Sequence, residues 1–235
     1  MTEELFRDDA YRRDCSARVT GVNECGIELD RTVFYPLGGG QPGDSGVFRL
    51  PAGDTLRVVD TRKGNGAGDI LHLLESPPHG GLLGKQVEAL VDWERRHRLM
   101  RMHTLLHLLC VLIPAGVTGG SVRDGSGRLD FDLPDSVLEK TALTEQLNRL
   151  ISEDHAVHSR WIDDAELAAH PELVRTMSVK PPSGQGRVRL VEIESLDLQP
   201  CGGTHVASTG EIGPVVVKKI EKKGKHNRRV NVAFA

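Results

Sequence analysis

Up to about residue 92, apolar and polar positions alternate in short runs broken by glycine, proline and aspartate. Ala17–Val22, Gly26–Leu29, Val33–Phe34, Leu56–Asp60, Ile70–Leu74 and Gln86–Val91 each read as a strand. Strands spaced by such turns predict a small sandwich or barrel. Beyond residue 92 the period becomes helical. Asp92 can cap a helix over Trp93–Leu112, which Pro114 and Gly116 would stop. Ser136 and Glu139 have capping-box spacing and predict the start of a second helix, with an apolar stripe of Leu143, Leu147, Leu150 and Ile151. An Asp-x-x-Glu start predicts a short helix over Asp163–Ala169. Strands return at Val188–Ile193, Val215–Ile220 and Arg229–Phe234, the last alternating Val230, Val232 and Phe234 with Arg229, Asn231 and Ala233. The expected class is α+β, with a glycine-rich β-barrel domain over residues 1–92 and, over 93–235, a domain of helices packed on an antiparallel sheet.

Composition supports a folded chain: 235 residues, 38% hydrophobic and 27% charged. The formal charge of −3 excludes a uniformly basic nucleic-acid coat but leaves room for local basic patches. Four cysteines, at 15, 25, 110 and 201, are too few and too scattered for a disulfide scaffold. The N-terminus MTEELFRDDA lacks the regions of a signal peptide, and no apolar stretch is long enough to span a membrane. The expectation is a soluble, cytoplasmic protein with no membrane partner and no evident obligate protein partner.

His103 and His107 stand four residues apart on the first long helix, so both imidazoles share one face. Cys201 and His205 follow 94 residues later in Cys-Gly-Gly-Thr-His, where two glycines let the backbone turn tightly. An i,i+4 histidine pair alone is often incidental, and a single cysteine is often a small buried hydrophobe. Two tight pairs together point to a metal, and three imidazoles with one thiolate suit tetrahedral Zn²⁺. A zincin protease would need Glu where Thr104 stands. The His-x-Glu and Pro-Cys-x-x-Cys pattern of the zinc deaminases is also missing.

The helical His103–His107 pair with Cys201-Gly-Gly-Thr-His205 resembles the editing domain of alanyl-tRNA synthetase. It is still more similar to the freestanding, medium-length editing proteins of AlaX type. Phe34-Tyr-Pro-Leu-Gly-Gly-Gly-Gln-Pro-Gly-Asp-Ser-Gly46 resembles that family's glycine-rich motif, and Arg128–Phe131 and Thr209–Gly213 also sit where it carries such runs. The resemblance covers nearly the whole chain. It implies a trans-editing hydrolase that deacylates mischarged tRNA(Ala), with Ser-tRNA(Ala) the chief substrate and Gly-tRNA(Ala) a second candidate. It also implies Zn²⁺ on His103, His107, Cys201 and His205, and a partner in the tRNA(Ala) acceptor end. In Val117-Thr118-Gly119-Gly120-Ser121 it makes Thr118 the equivalent of a Thr or Gln that handles the substrate, beside Ser121. Many synthetase editing domains carry Thr directly before the second histidine. Leu106 stands there in this chain, so that hydroxyl contact is lost or supplied elsewhere.

The remaining candidates come from chemistry. Rejecting alanine while accepting serine requires a group that hydrogen-bonds the hydroxyl, a task assigned to Thr118. Gly38, Gly39, Gly40 and Gln41 are expected to approach the substrate, with Asp44 as an accessory, although a glycine run also serves as a plain turn or bulge. Asp197 is a candidate for orienting a ligand histidine. Arg95, Arg96, Arg98 and Arg101 on the first helix, and Lys218, Lys219, Lys222 and Lys223 near the C-terminus, form basic clusters suited to phosphates, with Arg95, Arg98 and the four lysines taken as RNA contacts. A charge run also serves as a solvated face. A zinc-stabilised tRNA-binding module without catalysis, or editing of another mischarged tRNA, are the alternatives.

Overall fold

The computed structural model describes residues 1–78, 81–134, 138–175 and 186–235. The chain forms two compact units, Met1–His97 and Arg98–Ala235.

The first unit contains strands β1 (Glu3–Glu4), β2 (Asp14–Val22), β3 (Gly26–Leu29), β4 (Arg31–Thr32), β5 (Gly46–Arg49), β6 (Thr55–Lys63), β7 (Ile70–Leu74) and β8 (Gln86–Val91). Six of them close into a barrel in the order β2-β3-β7-β6-β5-β8, and β1 pairs with β4 alongside. Alternation along β2 sends Cys15, Ala17 and Val19 inward to join Ile27, Leu29, Phe34, Phe48, Val58 and Ala89. Closure depends on glycine where strands crowd. A Cβ at Gly26 would lie 2.1 Å from His72 O, and one at Gly46 would lie 2.1 Å from Leu90 O. Val33 and Phe34, expected as a strand, are buried but unpaired with any strand. Side chains take over the ladder's role: Phe34 N donates to Thr32 Oγ1 and Tyr35 N to Asp44 Oδ2.

Helix α1 (Trp93–Leu112) begins in the first unit and continues in the second. Asp92 caps it by accepting from Arg95 N. From Leu99 to Leu109 almost every position is buried, which leaves no solvent stripe. No helix among the described residues is long and apolar enough to cross a membrane.

The second unit holds β9 (Val117–Arg123), β10 (Ser126–Asp132), α2 (Lys140–Ser152), β11 (Val157–Asp163), α3 (Asp164–Ala169), β12 (Arg187–Ile193), β13 (Asp197–Pro200), β14 (Val215–Lys223) and β15 (Asn227–Phe234). One antiparallel sheet runs β14-β15-β10-β9 and a second runs β11-β12-β13. The fold is α+β, with antiparallel sheets throughout apart from the short β1–β4 pair.

The second helix starts at Lys140 behind an N-cap at Glu139, whose side chain accepts from Ala142 N; Ser136 lies outside the described residues. Leu143, Leu147 and Ile151 form its buried stripe. Asp163 caps α3 through Glu166 N. α1 packs on β10 where Gly127 leaves room: a Cβ there would come within 2.9 Å of Met102 Sδ and 3.2 Å of Leu106 Cδ2. β9, β11 and β13 form from segments without an obvious strand pattern. Gly119 and Gly120 interrupt β9, and β11 is exposed at four consecutive positions.

Candidate metal centre

Two elements of the second unit bring the donor atoms together. α1 presents His103 and His107 one turn apart, with ring centroids separated by 5.5 Å. The segment after β13 turns through Gly202 and Gly203 to bring in Cys201 and His205. The donor atoms of these four residues all lie within 4.8 Å of one another, so the group could hold a metal ion. Cys201 Sγ is 3.2 Å from His205 Nε2 and 3.6 Å from His103 Nε2.

Outer contacts fix which ring nitrogens face inward. His107 Nδ1 lies 3.2 Å from Asp197 Oδ2, leaving Nε2 for the centre. Gln199 Nε2 donates to the same carboxylate oxygen at 2.6 Å, and Arg175 approaches Asp197 Oδ1 at 3.3 Å. His205 Nδ1 lies 3.1 Å from Thr104 Oγ1, which also accepts from Val206 N. The buried Arg189 clamps the turn, donating through Nη1 to Cys201 O at 3.0 Å and Gly203 O at 2.9 Å. Ring orientation by carboxylates and hydroxyls is the usual support of ligating histidines.

The electrostatics suit a cation. Burial alone would raise the Cys201 thiol, but the neighbouring His103 and His205 outweigh it and hold the thiol well below its ordinary value. Burial pushes His205 down to about 3, with His103 adding to the effect. Burial would also lower His107, yet its hydrogen bond to Asp197 and the adjacent Cys201 lift it to about 9. For Asp197, burial raises the carboxyl, and His107 with Gln199 more than compensates. A buried thiolate needs compensating positive charge, which a protonated His107 supplies in the free protein and a bound cation would supply on displacing that proton. The donor set therefore fits a borderline-soft divalent ion such as zinc.

Asp197 orients His107, as the sequence suggests. Thr104, Gln199 and Arg189 are not among the supporting residues that the sequence suggests. For Gln199 a signal existed: Asp197, Gln199 and Cys201 alternate and so share one face of an extended chain. Thr104 and Arg189 act through contacts that no spacing reveals.

Other candidates lie in different surroundings. Thr118 is on β9, its hydroxyl 3.1 Å from both Asp130 O and Asn227 Oδ1, two partners within the four-stranded sheet. Ser121 faces Arg128 across the β9–β10 pair. Gly38–Gln41 form a tight turn in the first unit, with Gly39 and Gly40 at φ of 56° and 82°, and Gln41 is buried. Asp44 is also buried and forms an ion pair with Arg96.

The first-helix arginines are largely tied down. Arg96 has no exposed side-chain surface and donates to Asp44, Ala10 O and Val33 O, so it is withdrawn from any phosphate-binding face. Arg95 donates to Gly43 O, Arg98 pairs with Asp124, and Arg101 donates to Ile212 O and lies over Phe234. On β14 the lysines are exposed. Lys219 and Lys223 share Glu221, while Lys218 and Lys222 make no ion pair among the described residues.

Residues 188–231, which include the Cys201–His205 turn, match the threonyl and alanyl tRNA synthetase second additional domain. Residues 7–95 match class II (A) tRNA synthetases. Fold and site thus define a relative of the accessory domains of class II synthetases. The chain is 37% identical to the alanyl-tRNA editing protein AlaX-M of Methanosarcina mazei over 98% of its own length and 95% of the relative's. It is 34% identical to the AlaX-M protein of Saccharolobus solfataricus over 98% of both chains. The alanine–tRNA ligase of Sulfurisphaera tokodaii is 34% identical over 94% of this chain, which spans only 25% of that enzyme. The chain belongs to the alanyl-tRNA editing proteins of the AlaX-M family.

Proposed function

We propose that this protein is a trans-editing hydrolase that cleaves the ester joining a wrong amino acid to tRNA(Ala), with Ser-tRNA(Ala) the chief substrate and Gly-tRNA(Ala) the second. The observation that carries the reading is the convergence of His103, His107, Cys201 and His205 in a chain that matches alanyl-tRNA editing proteins over 98% of its length. These four residues would hold Zn²⁺. When bound, zinc supplies a Lewis acid able to polarise an ester carbonyl or fix the terminal ribose.

The chain's own residues do the rest. Asp197, through His107 Nδ1, and Thr104, through His205 Nδ1, keep both rings aimed inward. Arg189 holds the Cys201–Gly203 backbone, so the thiolate and His205 keep their spacing. An aminoacyl ester is already activated, and positioning with backbone donors in a buried site contributes much of the barrier reduction. Thr118 is the proposed reader of the serine hydroxyl, with Ser121 and the Gly38–Gln41 turn as further substrate contacts. Arg95, Arg98 and the lysines 218, 219, 222 and 223 are proposed to meet acceptor-stem phosphates.

The test is ester loss from Ser-tRNA(Ala) and Ala-tRNA(Ala) incubated with purified protein. Loss from the seryl ester alone is expected. Equal rates on both would sink the specificity. Binding without turnover would favour the second reading, a zinc-stabilised tRNA-binding module, which the closed four-donor geometry typical of structural zinc sites supports.

A further inference from the structure

The three-stranded sheet has two unlike faces. One carries Ile162, Val188 and Leu190 and is covered by α3 through Leu167. The other carries the support of the metal centre. Pairing places Val157, Ile193 and Asp197 in one cross-strand row, and Ser159, Val191 and Gln199 in the next. The third row runs from Trp161 to Arg189, and Cys201 N donates to Arg189 O beyond the end of β13. Residues paired directly across a sheet point to the same side. Trp161 therefore shares a face and a row with a donor residue, two strand spacings away, or about 10 Å.

Trp161, one of two tryptophans in the chain, is 37% exposed. The guanidinium of Arg187, next but one to Arg189 on the same face, lies 4.5 Å from its ring centroid. Ser159 beside it is exposed as well. Arg189, Val191, Ile193 and Gln199 on this face are buried, so only its outer strand β11 is open, at Ser159 and Trp161. An exposed aromatic ring beside a flat guanidinium on such a strand is a surface on which single-stranded RNA bases can stack.

We infer that Trp161 and Arg187 form a stacking platform for the terminal adenine base of the acceptor end, on the same sheet face as Cys201. This rests on the reading of the chain as an aminoacyl-tRNA hydrolase. The backbone separation of about 10 Å is of the same order as the span from a terminal ribose ester to the outer part of its own base, each covalent step being about 1.5 Å. The platform would grip the base while the ester reaches the centre.

In a Trp93→Phe background Trp161 is the only indole, so its fluorescence reports the platform directly. A CCA trinucleotide should quench it saturably, and the same trinucleotide with an abasic 3′ end should not. In the parent chain, Trp161→Ala should raise KM for deacylation about tenfold, the loss expected for one stacked base, with kcat little changed. Trp161→Phe should restore most of the affinity, which a merely structural role would not require. Absent quenching, or equal quenching by the abasic probe, overturns the platform whether or not the protein edits. Base-dependent quenching by a protein that deacylates no aminoacyl-tRNA leaves the platform standing and sinks the proposed activity instead.

Discussion

His72 illustrates how a single buried ring sets a pH limit. Its Nδ1 donates to Ile27 O, its Nε2 accepts from Thr32 Oγ1, and Phe34 and Phe48 present their rings to it. Both nitrogens are satisfied in the neutral form, and burial lowers the ring to about 4. Between pH 6.5 and 4 the unfolded chain takes up a proton that the folded barrel refuses, so stability falls with pH across that window and levels off below it. The loss attributable to His72 should reach about 3 kcal/mol at pH 4. Urea unfolding of wild type and His72→Gln at pH 7, 6 and 5 measures it: the variant should be less stable at pH 7 but show the shallower slope.

At the metal centre, Asp197→Asn should weaken zinc affinity by roughly 10–100-fold while preserving the fold, as measured by competition with a chromophoric chelator. An unchanged affinity would remove Asp197 from its assigned role. The four clustered donor residues were legible because their spacing encodes shared faces. Arg96 was not: it stands among other arginines and reads as surface charge, and only the fold reveals Asp44 beneath it.

Among the elements, α2 covers the edge of a sheet with side chains as well as bulk. Asn148 accepts from Val215 N and donates to Val215 O, and Thr144 Oγ1 accepts from Val217 N. The outer edge of β14 is thus partly paired without another strand, which blunts edge-to-edge association. Asn148→Ala leaves both backbone groups of Val215 without these partners and should cost about 2 kcal/mol in chemical denaturation. It should also increase concentration-dependent association, visible by light scattering. Elements with strong local signals were readable almost to the residue: α1 between its cap and Pro114, α3 behind Asp163, and β3, β7 and β8 from their alternation. β9 was not, since Val-Thr-Gly-Gly-Ser-Val-Arg becomes a strand through pairing with β10 rather than through its own propensity. β13, only Asp-Leu-Gln-Pro, is held by β12 in the same way.

For the molecule as a whole, a net charge of −3 coexists with an exposed lysine row on β14. If that row meets phosphates, Lys218→Ala with Lys222→Ala should weaken tRNA binding and flatten its salt dependence, lowering the log–log slope by about 2. Filter binding between 50 and 200 mM salt, as a typical range, would show it. A slope equal to wild type would free these lysines from any RNA role.

The donor cluster also carries a schedule. His103 and Cys201 are 98 residues apart in the chain. At about 5–20 residues per second, a ribosome delivers the two histidines of α1 roughly 5–20 s before the Cys-Gly-Gly-Thr-His turn that completes the set. Throughout that interval a helix that is buried on nearly every side in the finished protein must wait without its full covering. The long separation therefore leaves α1 incompletely covered for seconds during synthesis, and the emergence of His205 marks the earliest moment the cluster can close.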